Sequence, residues 1–363
     1  MKHYRPEKIL VQEQSWKDRA TYEILERLRG VPTETIQSTD SRVATPAGAF
    51  AGQPDSKDTL ILMRYPGKFV RSCQGSGAEI CCGYLIVSYA WNCHLECTYC
   101  VLQSYLSSDA MVVCTNIEQL EAELEETLSR RPNRVLRVGT GELADSLALD
   151  HITHYSRRLV PLFASHPNGI LELKTKTDQI ANLENLDHRG RTVVSWSMNS
   201  RRVCGTEESK APSFDERLAA ALRCQEWGYK LGFHFDPLIH YDGWEADYRE
   251  AVEDIFRAVD PGRVAWMSMG ALRFTPHLRE SIQKRFPDSK IPYGEFVPGH
   301  HGKLRYFRPI REEMYRRMRS WIRAAAPEVF VYLCMESGVV WERSFGHRPR
   351  DTAQLSQWLV VSD

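Results

Sequence analysis

Between Tyr84 and Leu333 the chain alternates short apolar runs with longer stretches of helical spacing, and this alternation limits the fold more than any other feature. Strands are expected at Tyr84–Ala90, Arg134–Val138, Ile170–Leu173, Thr192–Met198, Leu231–Phe235, Val264–Met269 and Glu328–Leu333. Helices are expected between them, at Ile117–Arg130, Ile152–Phe163, Asp178–Leu186, Phe214–Trp227, Tyr248–Val259, Pro276–Phe286 and Arg311–Ala325. Strands that alternate with helices form βαβ units around a parallel sheet. A run of this length predicts the α/β class, with a full or partial (β/α) barrel over residues 76–335. Residues 1–75 read as an N-terminal extension, with a helix over Trp16–Leu28 closed by Gly30 and Pro32, then a loop over Thr33–Lys57. Residues 336–363 read as a C-terminal tail.

In barrels the acting groups lie at the C-terminal ends of strands. The notable polar residues fall there: Cys93, Cys97 and Cys100, then Asp145, Lys176, Ser197, Asn199, Asp236, His240, Arg273 and Cys334. Their shared position predicts one site on one face.

The cysteines stand in Cys93-His94-Leu95-Glu96-Cys97-Thr98-Tyr99-Cys100, with C-x3-C-x2-C spacing. A [4Fe-4S] cluster is normally held by four cysteine thiolates. Three on one loop leave an iron open to a substrate or cosubstrate. The competing reading is structural zinc, with His94 or a distant cysteine as the fourth ligand. Against it, no second closely spaced pair follows. Cys73, Cys81 and Cys82 read as isolated buried thiols or as extra ligands. Ten cysteines in 363 residues are too few for a disulfide scaffold, and their clustering fits metal binding in a reducing compartment. The formal net charge of +0 argues against a broad DNA-binding surface, while leaving room for a local basic groove. The N-terminus lacks an apolar h-region and no run approaches membrane-spanning length, so a cytoplasmic protein without a membrane partner is expected.

C-x3-C-x2-C is the signature of radical S-adenosylmethionine (SAM) enzymes, and the longer context resembles the spore photoproduct lyase family. The similar segments are Cys93–Gln103, Gly139–Thr153, Leu173–Thr177, Ser195–Asn199, Gly228–Tyr248 and Gly302–Tyr306, in family order. The resemblance implies a partial (β/α)6 TIM-type barrel of the radical SAM kind. It implies a [4Fe-4S] cluster on Cys93, Cys97 and Cys100, SAM as the second cofactor, and an electron donor of flavodoxin or ferredoxin type. Asp145, Lys176 and Ser197 match SAM-contacting positions, while Ala144 and Asp236 occupy two others with different side chains. Tyr99 matches a tyrosine that contacts SAM and takes part in hydrogen-atom return. In chemical terms, Lys176 can pair with the methionyl carboxylate, Ser197 and Asn199 can bond the SAM head or ribose, and Asp145 can accept from a ribose hydroxyl or the amino group. The cofactors carry the radical chemistry, and the protein positions them.

The match departs where the family meets its substrate. Glu142 stands where the DNA-repair members have a hydrogen-donating cysteine, and Val101 where they have a second tyrosine. Pro298 and Gly299 stand at the Arg-Tyr pair of the duplex-opening hairpin. Cys334, at the end of the last strand, is the candidate replacement donor. His300–Tyr306 with Arg308 and Arg311 mixes basic and aromatic groups suited to a nucleic-acid strand. Arg316, Arg317, Arg319 and Arg323 read as a solvated helix face. Three readings follow: repair of the thymine dimer spore photoproduct in damaged DNA, the same radical chemistry on another nucleoside or small molecule, and a non-catalytic iron–sulfur or zinc protein.

Overall fold

The computed structural model describes residues 3–37, 56–73, 79–106, 108–299 and 302–359. The chain divides into two compact units, the first of residues 1–72, 85–94 and 101–192, the second of residues 73–84, 95–100 and 193–363.

The first unit runs β1 (Lys8–Gln12), α1 (Arg19–Arg27), β2 (Thr33–Ile36), β3 (Thr59–Met63), β4 (Val70–Ser72), β5 (Leu85–Val87), β6 (Ala90–Trp91), α2 (Leu102–Tyr105), β7 (Met111–Cys114), α3 (Ile117–Ser129), β8 (Leu136–Gly139), α4 (Asp150–Thr153), α5 (Ser156–Ala164) and β9 (Gly169–Thr175). One of its sheets has the order β2-β1-β3-β7-β6 and is parallel except for β6. β3 and β7 are buried throughout, as their apolar runs TLILM and MVVC demand of parallel strands covered on both faces. Strands β5, β8 and β9 pair in parallel, with β4 antiparallel beside β5. Helix α3 buries Ile117, Leu120, Leu124 and Leu128, the three- and four-residue spacing of one helical face.

The second unit contains β10 (Thr192–Ser197), α6 (Arg201–Glu207), α7 (Phe214–Glu226), β11 (Lys230–Leu238), α8 (Trp244–Ala258), β12 (Val264–Ala271), β13 (Arg273–Phe274), α9 (Pro276–Arg285), β14 (Val297–Pro298), β15 (Leu304–Arg305), α10 (Arg308–Ala325), β16 (Val331–Leu333), α11 (Gly338–Phe345) and α12 (Thr352–Trp358). β10, β11, β12 and β16 pair in that order, all parallel. Short antiparallel strands β14, β15 and β13 form a separate small sheet. Helix starts are marked in the sequence. Ser213 and Glu216 close a reciprocal capping box on α7, and Thr275 caps α9 ahead of Pro276.

Four expectations about the elements are corrected. Tyr84–Ala90 is two strands rather than one, because the chain turns at Ser88 and Tyr89, so that β5 joins β8 and β6 joins β7. Asp178–Leu186 is not an α-helix: only Ala181–Leu183 forms a 3-10 turn. Thr175 and Thr177 hydroxyls accept backbone N–H groups two residues on, and Asn185 sits at φ 62°, so the backbone is held in turns. The N-terminal segment is more than a helix and a loop, since Thr33–Ile36 and two further strands join a sheet; residues 38–55 of the expected loop lie outside the described residues. The tail carries helices α11 and α12. Along α10, Arg316 and Arg317 are exposed and pair with Glu313, as a solvated face does, whereas Arg319 and Arg323 are half-buried and Arg319 lies over the Phe345 ring, 4.9 Å from its centroid.

Candidate active site

Cys93 follows β6 in the first unit. Asn92, in the left-handed region at φ 74°, turns the chain there: its Nδ2 donates to the Asp109 carbonyl at 2.8 Å and its Oδ1 accepts from Cys93 N at 2.8 Å. Lys57 Nζ donates to the Cys93 carbonyl at 2.7 Å. His94 lies against the Tyr4 ring with centroids 5.1 Å apart.

Residues 95–100 belong to the second unit and are held by the end of α6. Thr98 donates to Glu207 twice, from N to the carbonyl at 2.9 Å and from Oγ1 to Oε2 at 2.6 Å. Ser289 Oγ donates to the same Oε2 at 2.8 Å. Tyr99 is buried, and its hydroxyl donates to Glu208 Oε1. Glu208 is in turn paired with Arg217 of α7, both side chains 0% exposed. Arg217 also donates from Nε to the Pro212 carbonyl at 2.8 Å and from Nη1 to the Ser197 carbonyl at 3.0 Å. One buried cation therefore links the tyrosine's acceptor to the end of β10. Burial, and then the Glu208 charge, pushes the Tyr99 phenol well above its ordinary range, so it stays protonated. Glu207, Glu208 and Arg217 had no signal in the sequence beyond being charged.

At the end of β8 the loop 140–146 is tied to the end of β9. Asp145 Oδ1 accepts from Leu147 N at 3.0 Å, Ala148 N at 2.9 Å and Thr175 Oγ1 at 2.7 Å, and Oδ2 accepts from Lys176 N at 2.7 Å. The carboxylate thus fixes the backbone that carries Lys176. Ser146 Oγ accepts from Thr140 Oγ1 at 2.7 Å and from Lys174 N at 3.0 Å. Gly141 allows this approach: a Cβ there would lie 2.9 Å from the Lys174 carbonyl oxygen. Glu142 is exposed on the same loop.

In the second unit Ser197 is buried at the end of β10. Asn199 is engaged by the protein: Nδ2 donates to the Pro237 carbonyl at 3.1 Å, and Oδ1 accepts from Tyr248 and, at 3.2 Å, from Ser200 N. Its side chain thereby braces the turn at Asp236 and Pro237. Asp236 is a clamp rather than an open acceptor. It takes Arg273 in both arms, at 3.0 and 3.2 Å. Arg273 Nη2 also reaches Met335 Sδ at 3.3 Å and Cys334 Sγ at 3.9 Å. Burial opposes the guanidinium charge, but Asp236 outweighs it and keeps Arg273 protonated. Gly270 leaves room for the pair, since a Cβ there would fall 2.5 Å from Asp236 Oδ1. Cys334 is half-buried at the end of β16, rather than sealed in the core.

Cys97 is buried, and Cys93 and Cys100 are half-buried. Among the described residues no three His, Cys, Asp or Glu side chains are arranged to hold one metal ion. None of the cysteines is in a disulfide. Cys73, Cys81 and Cys82 are half-buried rather than fully buried.

A family model for spore photoproduct lyase matches residues 59–333. The spore photoproduct lyase of Geobacillus sp. (strain Y412MC61) is 29% identical over 315 residues, 84% of this chain and 86% of that protein. That of Bacillus subtilis (strain 168) is 27% identical over 212 residues, 58% of this chain and 62% of that protein. A solved spore photoproduct lyase, a Cys-to-Ala and Ser-to-Cys variant with bound AdoMet and dinucleoside spore photoproduct, superposes with a TM-score of 0.79 at 24% identity, covering 92% of this chain and 100% of that one. A Cys-to-Ala variant gives a TM-score of 0.78 at 25% identity over the same shares. The fold is therefore the expected α/β partial barrel of the radical SAM kind. With its motifs in order and the family model spanning three-quarters of its length, the chain belongs to the spore photoproduct lyase family.

Proposed function

We propose that this chain is a radical SAM enzyme that repairs a thymine-derived photoproduct in DNA, with Cys334 as its hydrogen donor in place of Glu142. When bound on Cys93, Cys97 and Cys100, the [4Fe-4S] cluster supplies the electron that cleaves SAM into methionine and a 5′-deoxyadenosyl radical. The chain's own residues position, shield and return hydrogen. Lys176, on the backbone fixed by Asp145, pairs with the SAM carboxylate, and Ser197 contributes a hydroxyl at the end of β10. Asp145 and Asn199 act through the backbone they hold, and Asp236 acts through Arg273.

The observation that carries the reading is the Asp236–Arg273–Cys334 arrangement. Arg273 orients the Cys334 sulfur, while Asp236 offsets the guanidinium charge beside it. A thiol serves here where a carboxylate such as Glu142 does not: its S–H bond is weak enough to give up a hydrogen atom. In that step the Cys334 S–H bond breaks, the thymine C–H bond forms, and a thiyl radical remains on Cys334. Tyr99 restores the thiol by giving up its O–H hydrogen, with Glu208 holding the phenol in place beforehand, and one electron from the proposed donor with a proton from water returns the tyrosyl radical to the phenol.

The test is Cys334→Ala in the reconstituted enzyme. 5′-Deoxyadenosine should still form, while thymine yield falls and adducts from quenching by the reductant accumulate. An unchanged product distribution would remove Cys334 from the mechanism. The exposed Glu142 favours a second reading, the same radical chemistry on a different nucleoside or small molecule. Persistence of the photoproduct during SAM cleavage would select it. A flavodoxin or ferredoxin type protein is the proposed electron donor. The cytoplasm is the proposed compartment, supported by the undisulfided thiols; among the described residues no helix is long and apolar enough to cross a membrane.

A further inference from the structure

The start of β3 and the end of β6 lie at the same end of their sheet, because β3 runs parallel to β7 and β6 antiparallel to it. β1 is parallel to β3, so the residues ahead of β1 come to that end too. Tyr4, Lys57 and Cys93 meet there, all within the first unit. A series of contacts links them. His151 Nε2 donates to the Tyr4 carbonyl at 2.8 Å. The Tyr4 hydroxyl donates to the Lys57 carbonyl at 2.8 Å. Lys57 Nζ in turn donates to the Cys93 carbonyl at 2.7 Å. The Tyr4 ring also stacks on His94, with planes 28° apart. Tyr4 is buried and Lys57 half-buried. Lysine has a flexible four-carbon stem whose ordering costs entropy, yet here both its backbone and its ammonium are held.

We propose that Lys57 is a positioning residue that raises the reduction potential of the cluster bound through Cys93, and that Tyr4 holds it in place for that role. The electron that precedes SAM cleavage adds one negative charge at the cluster. A cation fixed beside one of the ligands stabilises the more negative state, and half-burial limits the screening of that attraction by water and salt. Charge and hydrogen bonding around an iron–sulfur cluster are among the levers that set its potential. The sign does not depend on what else Lys57 touches, because a neutral replacement removes one positive charge in any case. Tyr4 and Lys57 both precede residue 59, where the match to the family model begins, so this support comes from the chain ahead of the matched part. The basic, aromatic segment near the end of the second unit is, by contrast, largely spent on structure. Tyr306 is buried, Arg305 and Arg311 are buried against Glu79 and Glu336, and His300 and His301 lie outside the described residues.

The inference rests on the proposal that Cys93, Cys97 and Cys100 carry a [4Fe-4S] cluster, and the experiment keeps the two apart. Iron and sulfide are quantified in the anaerobically reconstituted full chain, and the midpoint potential is measured by redox titration followed by electron paramagnetic resonance. Lys57→Met should keep the iron content and reduce the ratio of reduced to oxidised cluster at a fixed potential by about tenfold, a downward shift of about 59 mV for one electron. Lys57→Gln keeps a donor for the Cys93 carbonyl without the charge, and should fall as far. Lys57→Arg should hold the wild-type midpoint. Tyr4→Phe loses only the hydroxyl that fixes Lys57, and should shift the midpoint in the same direction by less. If Lys57→Met fails to hold a cluster, Lys57→Gln and Tyr4→Phe carry the test. A wild-type midpoint in Lys57→Gln would overturn the assignment, by showing that the charge does not act on the cluster, and would leave the cluster reading standing. A wild type that takes up no iron and sulfide with its cysteines reduced would remove the cluster reading and this inference with it.

Discussion

Arg217 is the residue whose loss should be felt most. It is fully buried, ion-paired with Glu208, and donates to the carbonyls of Pro212 and Ser197. Arg217→Met keeps much of the packing volume and removes the charge. Glu208 would then sit in the interior without its Arg217 counter-charge, beside the Tyr99 hydroxyl. Breaking one side of a buried ion pair costs about 3–5 kcal/mol, because the remaining charge is stranded. Removing both charges avoids that penalty, so Glu208→Gln/Arg217→Met should recover at least half of the loss. The assay is anaerobic urea unfolding followed by tryptophan fluorescence. The single variant should show a lower midpoint at an unchanged slope, and the double-mutant cycle should give strong coupling. A single variant within about 1 kcal/mol of wild type, or simple additivity of the two changes, would refute the reasoning, since pairs this buried are expected to couple.

Other perturbations read out neighbouring parts. Asp145→Asn keeps an acceptor at one oxygen but turns the other into a donor facing Lys176 N; SAM affinity by calorimetry should fall about tenfold or more, as for the loss of a charge-assisted bond, and an unchanged affinity would detach Asp145 from the site. Gly270→Ala forces a methyl against Asp236 and should free Cys334 from its clamp, seen as faster labelling by an aromatic disulfide that disappears in the Cys334→Ala background. Ser213→Ala removes the α7 cap and should cost about 0.5–2 kcal/mol in urea melts. Glu216 is held below the usual carboxylate range by its bonds to the Ser213 backbone and hydroxyl. Its contribution is therefore present above the ordinary carboxylate pKa and lost as pH falls through the depressed one; the Ser213→Ala deficit should shrink in acid, and a deficit independent of pH would contradict that linkage.

The legible parts of this chain are those governed by local chemistry. C-x3-C-x2-C marks its loop by spacing alone, and the alternation from Leu136 to Leu333 follows from strands and helices long enough to show their periods. α7 could be read because its apolar residues recur at helical spacing up to a terminating Gly228. The short runs at Lys8–Gln12 and Met111–Cys114 were not read as strands, because three or four apolar residues carry no period and their pairing partners lie far away in sequence. Asp178–Leu186 misled because threonine side chains captured the backbone before a helix could form. In the site, Arg217 looked like any other charge, and Asp236 and Arg273 could be placed at strand ends but not paired with each other. What each does depends on a partner nine or more residues away on another element, and sequence spacing cannot express that. Burial converts such charges from solvated groups into clamps.

The measurement that tests the central claim most directly is anaerobic turnover. The cluster is reconstituted, SAM and dithionite are added, and 5′-deoxyadenosine and thymine are assayed with and without a dinucleoside spore photoproduct. The account predicts that deoxyadenosine forms and that the photoproduct reverts to thymines with Glu142 unchanged, and that thymine yield collapses in Cys334→Ala. Deoxyadenosine formation with the photoproduct left intact would contradict the repair reading, and an intact cluster that cleaves no SAM would contradict radical SAM chemistry itself.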